Sequence, residues 1–199
     1  MPNANTPTSD TQRRTLLQAA AGLAAAGSLG LRTTAAASAA PPAVALPPAT
    51  GKPGDFDFLT GNWTIKNRQL KNGAWEAFDG EATVRGILAG IASVEELRIP
   101  SRNFSGMGLR LLDVEKKLWA DHWVNAKSGV LTPPPSWGSF VNGVGTWDLD
   151  ETDGDNQPTI VRGVWDRITP ASCRWYQAVS RDGGKTWAEN WLMDWTRAA

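Results

Sequence analysis

Short runs of alternating hydrophobic and polar residues dominate the chain from residue 55 onward. The side chains of a β-strand point alternately to its two faces, so this period of two indicates strands with one buried face. Sustained helical periodicity is almost absent. The pattern therefore predicts an all-β meander of short antiparallel strands. The clearest runs are TIKNRQL at 64–70, EATVRGIL at 81–88, GLRLLDV at 108–114, LWADHWVN at 118–125, TIVRGVW at 159–165, CRWYQAV at 173–179 and AENWLMDW at 188–195.

Turn signals separate many of these runs. Asn-Gly or Asp-Gly pairs, which favour tight hairpins, occur at 72–73, 142–143, 153–154 and 182–183. The last pair belongs to SRDGGKTW at 180–187, which matches the Asp-box pattern Ser-x-Asp-x-Gly-x-Thr-Trp. That motif recurs in every blade of sialidase-like propellers, whereas this chain carries it once. We therefore interpret it as a structural hairpin and not as part of a sugar-cleaving site.

The alternation also assigns residues to a buried interior. All eleven tryptophans lie between residues 63 and 195, and so many large side chains either overfill a core or line a cavity. For the strand at 118–125 two faces stay open: Trp119, Asp121, Trp123 and Asn125, or Ala120, His122 and Val124. TPPPSW at 132–137 is either a plain linker or part of the cavity mouth. The candidate ligand-binding residues are Asn67, Gln69, Trp119, Trp123, Trp175, Gln177, Trp191 and Met193.

The first 54 residues differ in composition from the rest and carry the marks of an export signal followed by a spacer. Arg13 and Arg14 precede an Ala-rich apolar run, and Ala37-Ser38-Ala39 supplies a cleavage site. The sequence predicts a twin-arginine signal peptide at 1–39, a Pro/Ala-rich linker at 40–54 and one domain at 55–199. The apolar run is too weakly hydrophobic for a stable membrane span, so we expect a periplasmic or secreted protein that uses the twin-arginine export machinery.

Charge and rare residues exclude several function classes. The leader carries a net charge of +3 and the mature domain −3, which argues against nucleic-acid binding. A single histidine, His122, and a single cysteine, Cys173, cannot build the usual zinc sites or a disulfide. DLDETDGDN at 148–156 lacks the register of a calcium-binding EF-hand loop. We therefore predict no metal site.

FDFLTGNW at 56–63 carries a family resemblance. Gly61-Asn62-Trp63 matches the Gly-x-Trp that opens the first strand of calycins, the group of lipocalins and fatty-acid-binding proteins, and the last strand ends in Trp195-Thr196-Arg197. Through the motifs FDFL-x-G-x-W, NGVG-x-W and S-x-DGG-x-TW-x-x-NW, the whole span 55–199 resembles secreted bacterial lipocalin-like proteins of unknown function. The resemblance implies a calycin-type barrel with a short N-terminal helical plug. It also implies that Arg197 stacks across the indole of Trp63 through a cation–π contact.

The favoured function is the binding of a small aromatic or hydrophobic molecule in a Trp-lined cavity, with no cofactor. The alternative is a cofactor-independent lyase or isomerase in the same cavity, with His122 and Glu95 as catalytic residues that move a proton. No Gly-x-Ser-x-Gly elbow or nucleotide-binding loop is present. A third possibility is a haem protein similar to nitrobindins, but their haem-binding histidine lies near the C-terminal strands, where this sequence has none.

The leader yields a testable prediction. Replacement of Arg13 and Arg14 together by lysine should leave the protein in the cytoplasm, because the export machinery reads the arginine pair itself. Cell fractionation followed by immunoblotting measures the distribution, and normal export of the double variant would contradict the twin-arginine route.

Overall fold

The chain folds into a closed antiparallel β-barrel. The computed structural model describes residues 46–131 and 133–198. Each of the ten strands within these ranges pairs with its neighbours along the chain, and the first pairs with the last, so the predicted all-β meander is confirmed. The strands are β1 (Gly61–Lys71), β2 (Ala74–Ile87), β3 (Ala92–Ile99), β4 (Phe104–Asp113), β5 (Leu118–Asn125), β6 (Ser136–Val141), β7 (Val144–Thr152), β8 (Pro158–Asp166), β9 (Ser172–Ser180) and β10 (Ala188–Arg197). Three single 3-10 turns, Asp57–Leu59, Leu88–Gly90 and Pro100–Arg102, complete the regular structure.

The predicted turn pairs lie between consecutive strands. Asn72 and Gly73 connect β1 to β2 with φ of 51° and 78°, and Asn142 and Gly143 connect β6 to β7 with φ of 50° and 79°. Two successive positive φ values define the turn whose twist matches that of the flanking strands, and asparagine and glycine adopt it at the least cost. The local sequence therefore fixes the register of these hairpins.

The Asp box forms the hairpin between β9 and β10. Asp182 Oδ1 accepts hydrogen bonds from the backbone N–H groups of Lys185 and Thr186, at 3.0 and 2.9 Å, and Asp182 Oδ2 accepts one from the Thr186 hydroxyl at 2.7 Å. These bonds hold the pKa of the Asp182 carboxyl well below its usual range, with the Thr186 hydroxyl the largest cause. The Asp182 carboxylate is thus occupied by its own turn, in agreement with the structural interpretation of this motif.

The pairing of β1 with β10 closes the barrel, with Trp63 opposite Arg197. The Arg197 guanidinium carbon lies 4.4 Å from the ring centroid of Trp63. Its nitrogens donate hydrogen bonds to the carbonyl oxygens of Phe58, Thr60 and Pro170 at 2.6–2.8 Å. The predicted stacking of Arg197 on Trp63 is confirmed. The same guanidinium links the segment before β1, through Phe58 and Thr60, to the loop before β9, through Pro170.

One end of the barrel is packed with aromatic side chains. Because neighbouring strands are antiparallel, the beginnings of odd-numbered strands and the ends of even-numbered strands meet at this end, which we call the closed end. Phe56, just before the 3-10 turn Asp57–Leu59, lies 4.9 Å from Trp119, 5.1 Å from Phe140 and 5.4 Å from Trp147, measured between ring centroids. The opposite end carries the connection between β5 and β6, and we call it the loop end.

Part of the predicted linker contacts the barrel. Ser139 Oγ donates a hydrogen bond to the Pro48 carbonyl at 2.6 Å, and the Gly51 N–H donates one to the Lys117 carbonyl at 2.8 Å. The predicted signal peptide at 1–39 and the first residues of the linker lie outside the described residues. Within the described part of the chain, no helix has the length and apolar character needed to cross a bilayer.

The closure contact can be measured with a double-mutant cycle of Trp63→Leu and Arg197→Met. We expect a coupling free energy of about 0.5 to 2 kcal/mol, the usual range for a cation–π pair. Urea unfolding of the parent, both single variants and the double variant provides the four free energies. Additive effects would show that the stacking of Arg197 on Trp63 contributes nothing to stability.

Candidate functional site

A cavity of about 250 Å³ lies inside the barrel toward the loop end. Residues of β3 to β5 and β7 to β10 line it, together with Ser136 of β6 and Ser128 and Pro134 of the loop between β5 and β6. Six of the eleven tryptophans contribute to the lining, so the cavity wall is largely aromatic. They are Trp123, Trp147, Trp165, Trp175, Trp191 and Trp195.

Glycines keep this interior open. Gly108 of β4 and Gly163 of β8 both line the cavity, where any other residue would project a side chain into it. A Cβ on Gly108 would lie 3.3 Å from Arg110 Nη2, and one on Gly163 would lie 3.3 Å from the indole nitrogen of Trp175. On the same face of β4, a Cβ on Gly106 would overlap the Trp123 indole. These glycines therefore provide space for the large side chains next to them.

A buried ion pair forms the base of the cavity. Arg110 Nη2 donates a hydrogen bond to Glu95 Oε2 at 2.5 Å, and the two side chains are only 5% and 4% exposed. The Arg110 guanidinium lies over the rings of Phe56 and Trp165, at 5.1 and 5.4 Å from their centroids. It therefore separates the cavity from the aromatic packing of the closed end. Burial opposes the charge of Arg110, but Glu95 and Asp121 outweigh this effect and raise its pKa.

Asp121 adds a second carboxyl group to this base. Its Oδ2 lies 3.8 Å from Arg110 Nε, beyond hydrogen-bond distance. Burial raises the pKa of Asp121 to about 6, attraction to Arg110 offsets part of that rise, and repulsion from Glu95 adds to it. We call Glu95, Arg110 and Asp121 the polar floor. The polar floor holds one cation, Arg110, between two carboxyl groups. Of these, Asp121 loses its proton near pH 6.

The loop end of the cavity is bounded by loop residues beside a gap in strand pairing. β5 pairs with β6 over three residues only, from Trp119 opposite Gly138 to Asp121 opposite Ser136. Beyond them a single bridge joins Val124 to Leu131. His122 reaches the cavity lining beside this gap, and its buried Nδ1 has no hydrogen-bond partner among the described residues. The sequence of TPPPSW allows either a plain linker or part of the cavity mouth. Because Pro134 and Ser136 line the cavity, the structure favours the mouth.

Most of the predicted ligand-binding residues line the cavity. They are Trp123, Trp175, Gln177, Trp191 and Met193, and both predicted catalytic residues, Glu95 and His122, line it as well. β4 separates the strands of Glu95 and His122, and the Glu95 carboxylate pairs with Arg110. On β5 the lining residues come from both predicted faces: Asp121, Trp123 and Asn125 from the first and His122 from the second, whereas Trp119 of the first face is not among them.

Three predicted residues are buried elsewhere. Trp119 is fully buried in the closed end, and its indole nitrogen donates to Asp55 Oδ2 at 3.1 Å. Asn67 Oδ1 accepts a hydrogen bond from the Trp191 indole at 3.0 Å, which places this amide at the edge of a cavity-lining ring. Gln69 Oε1 accepts one from Arg102 Nη1 at 2.5 Å. All three support the wall or the core of the barrel and are not part of the cavity lining.

Sequence reasoning missed Arg110 and did not select Asp121, Trp147, Trp165 or Trp195 as site residues. A signal for Arg110 was present, because alternation places it on the same strand face as Gly106 and Gly108. Leu109 and Leu111 hide that signal, since their apolar character suggests the opposite face. In the structure Leu111 is 37% exposed, whereas Arg110 is buried.

The described residues show neither a reactive cysteine nor a metal site. Burial raises the pKa of the Cys173 thiol to about 12, so at neutral pH it is protonated and a poor nucleophile. Among the described residues, no group of three or more histidine, cysteine, aspartate or glutamate side chains is arranged to hold a metal ion. Five titratable side chains line the cavity: Glu95, Arg110, Asp121, His122 and Glu151.

Comparison with known proteins does not assign a function, so the functional proposal depends on the geometry of the cavity. No protein-family model matches the chain, and a search of curated proteins finds no match either.

The raised pKa of Asp121 predicts how stability depends on pH. Between its ordinary value of 3.8 and about 6, the folded protein holds a proton that the unfolded chain has lost, so this group destabilises the fold as pH rises. Asp121→Asn removes the effect. Its free energy of unfolding should increase relative to the parent across this interval, and the difference should become constant above pH 7.

Urea unfolding from pH 4 to 8 measures that difference. We expect it to grow by about 1 to 3 kcal/mol, because one pKa unit corresponds to about 1.4 kcal/mol and solvent screens a side chain that is 26% exposed. Asp79→Asn is the control, since Asp79 is 75% exposed and outside the cavity. A difference for Asp121→Asn that does not vary with pH would contradict the raised pKa.

Proposed function

We propose that this protein is an exported lipocalin-like barrel that binds one small, flat, aromatic or otherwise hydrophobic molecule. The observation that carries the proposal is the cavity lined by six tryptophans. Indole rings provide large apolar surfaces on which a planar molecule stacks, and they lose little conformational entropy when they do so. The volume of about 250 Å³ lies just below the roughly 300–1,000 Å³ typical of small-molecule pockets, so it suits a compact ligand.

The rigidity of the cavity wall supports a binding role. The N–H of the Trp191 indole is bound to Asn67, and the N–H of the Trp147 indole donates to the Trp119 carbonyl at 3.2 Å. Trp175 and Trp191 pack edge to face, with their ring centroids 6.0 Å apart. Side chains held in this way need little reordering when a ligand enters, which lowers the entropic cost of binding.

The second candidate is a cofactor-independent isomerase or lyase that uses the same cavity. It is favoured by the pKa of about 6 at Asp121, because a carboxyl group that titrates near neutral pH is suited to proton transfer. Together with His122 it places two groups for proton transfer at the lining. The two functions differ in one observable, since a binding protein returns the aromatic compound unchanged. Turnover that Asp121→Asn or His122→Ala abolishes would favour the enzyme.

Binding can be tested by filling the cavity. We expect the parent to bind 2-ethylnaphthalene with strong quenching of tryptophan fluorescence, because six indoles surround the site. Val161 lines the cavity, so Val161→Trp should occupy that space and weaken binding at least about tenfold.

Val144→Trp is the matched control. It introduces the same side chain on β7, at an outward position where Val144 is 42% exposed, and should bind as the parent does. Isothermal titration at several temperatures gives the affinity and the heat-capacity change, which should be negative because apolar surface is buried. Equal affinities of the two variants would show that the compound binds outside the cavity.

A further inference from the structure

Unpartnered hydrogen-bond donors are concentrated around the cavity. Seven buried side-chain polar atoms have no hydrogen-bond partner among the described residues, and five of them belong to residues that line the cavity. These five are Arg110 Nε and Nη1, His122 Nδ1, and the indole nitrogens of Trp165 and Trp195. Four of the five can only donate hydrogen bonds. A buried donor without an acceptor destabilises the folded state, so this concentration requires an explanation.

Three of these side chains form a continuous group, which we call the donor cluster: Arg110, Trp165 and Trp195. The Arg110 guanidinium carbon lies 5.4 Å from the Trp165 ring centroid, and the Trp165 and Trp195 rings pack edge to face at 5.3 Å. All three side chains are at least nine-tenths buried. Packing therefore holds these three side chains together at the base of the cavity.

Other indoles in the barrel have acceptors within the protein. The nitrogen of Trp63 donates to the Leu59 carbonyl at 2.7 Å, and Trp147 and Trp191 donate to Trp119 and Asn67. The fold thus provides acceptors for buried indoles elsewhere in the same interior. The donor cluster differs from these residues because its indole nitrogens have no acceptor among the described residues, although Trp147 and Trp191 line the same cavity.

Resting on the binding function proposed above, we infer that the ligand is an aromatic compound with a neutral oxygen acceptor, such as an aryl ketone, a quinone or an aromatic amide, and that this oxygen binds the donor cluster. The ring system stacks among the tryptophans of the wall, while the oxygen accepts hydrogen bonds from the base of the cavity. The same donors weaken the binding of a purely apolar ligand relative to one with an acceptor, because the apolar ligand leaves them buried without acceptors.

Charge decides between a carbonyl oxygen and a carboxylate. Glu95 already pairs with Arg110, and Asp121 provides a second carboxyl group 3.8 Å from Arg110 Nε. A ligand carboxylate would place a third acidic group beside one guanidinium in a buried site, where repulsion between like charges is weakly screened. A ketone, quinone or amide oxygen accepts the same hydrogen bonds without adding charge.

The test compares three naphthalene derivatives of similar shape with the parent protein at pH 7.5. We expect 2-acetylnaphthalene to bind at least about fivefold more tightly than 2-ethylnaphthalene, the factor that corresponds to one net hydrogen bond. We expect 2-naphthoate to bind more weakly than the ketone. Isothermal titration measures all three affinities. Equal or tighter binding of the ethyl compound would overturn the inference while leaving the binding function in place, and tighter binding of the naphthoate would replace the carbonyl with an acid. Absence of binding by all three would overturn the proposed function itself.

Variants then test the donor cluster through the ratio of ketone to ethyl affinity, which cancels effects on ring stacking. Trp165→Phe keeps an aromatic ring and removes one donor. The combined change Glu95→Leu, Arg110→Met and Asp121→Leu removes the polar floor without leaving a buried charge. The ratio should fall about fivefold in at least one of these two variants. Trp187→Phe is the matched control, because Trp187 lies outside the cavity lining and its indole nitrogen donates to the Gly184 carbonyl, and it should keep the ratio of the parent. A ratio unchanged in both donor variants would show that these donors do not contact the ligand oxygen.

Discussion

Closure of the barrel between its first and last strands is the constraint on which the rest of the structure depends. Seven residue pairs join β1 to β10, and Arg197 adds a stacking contact and three hydrogen bonds at the point where these strands meet the closed end. Without this pairing the sheet would have two open edges, and the two halves of the cavity wall would separate. The site is thus built from residues that are distant in sequence but fixed relative to one another by closure.

Within the closed barrel, side-chain volume divides the interior in two. Phe56, Trp119 and Phe140 fill the closed end with edge-to-face aromatic contacts, whereas Gly108 and Gly163 leave space toward the loop end. The buried Arg110 lies at the boundary, with aromatic rings on one side and the cavity on the other. A buried ion pair contributes little net stability compared with apolar packing, so folding stability alone does not account for Arg110 and Glu95 at this boundary.

The fold could be predicted from the sequence to a large extent because its signals are local. Alternation and Asn-Gly turns act over two to eight residues, and the structure follows them in the hairpins that Asn72 and Asn142 begin. The base of the site could not be predicted in the same way. The pairing of Arg110 with Glu95 depends on the register of β4 against β3, where Gly108 lies opposite Glu95, and no local pattern encodes that register. Leu109 and Leu111 favour the opposite face on hydrophobicity alone, so tertiary pairing overrides the pattern at this strand.

The barrel wall is held by fewer paired residues between β5 and β6 than elsewhere, so its resistance to local opening varies around the circumference. Three residue pairs join β5 to β6, and a single bridge joins Val124 of β5 to Leu131 of the connecting loop, whereas β1 and β2 are paired over eleven residues. Local opening requires the least free energy where the fewest backbone hydrogen bonds must break. Backbone amides along this seam should therefore exchange with solvent before those of the rest of the barrel. A molecule that enters beside Pro134 would then pass through a local opening between β5 and β6. The pairing of the first and last strands would stay intact.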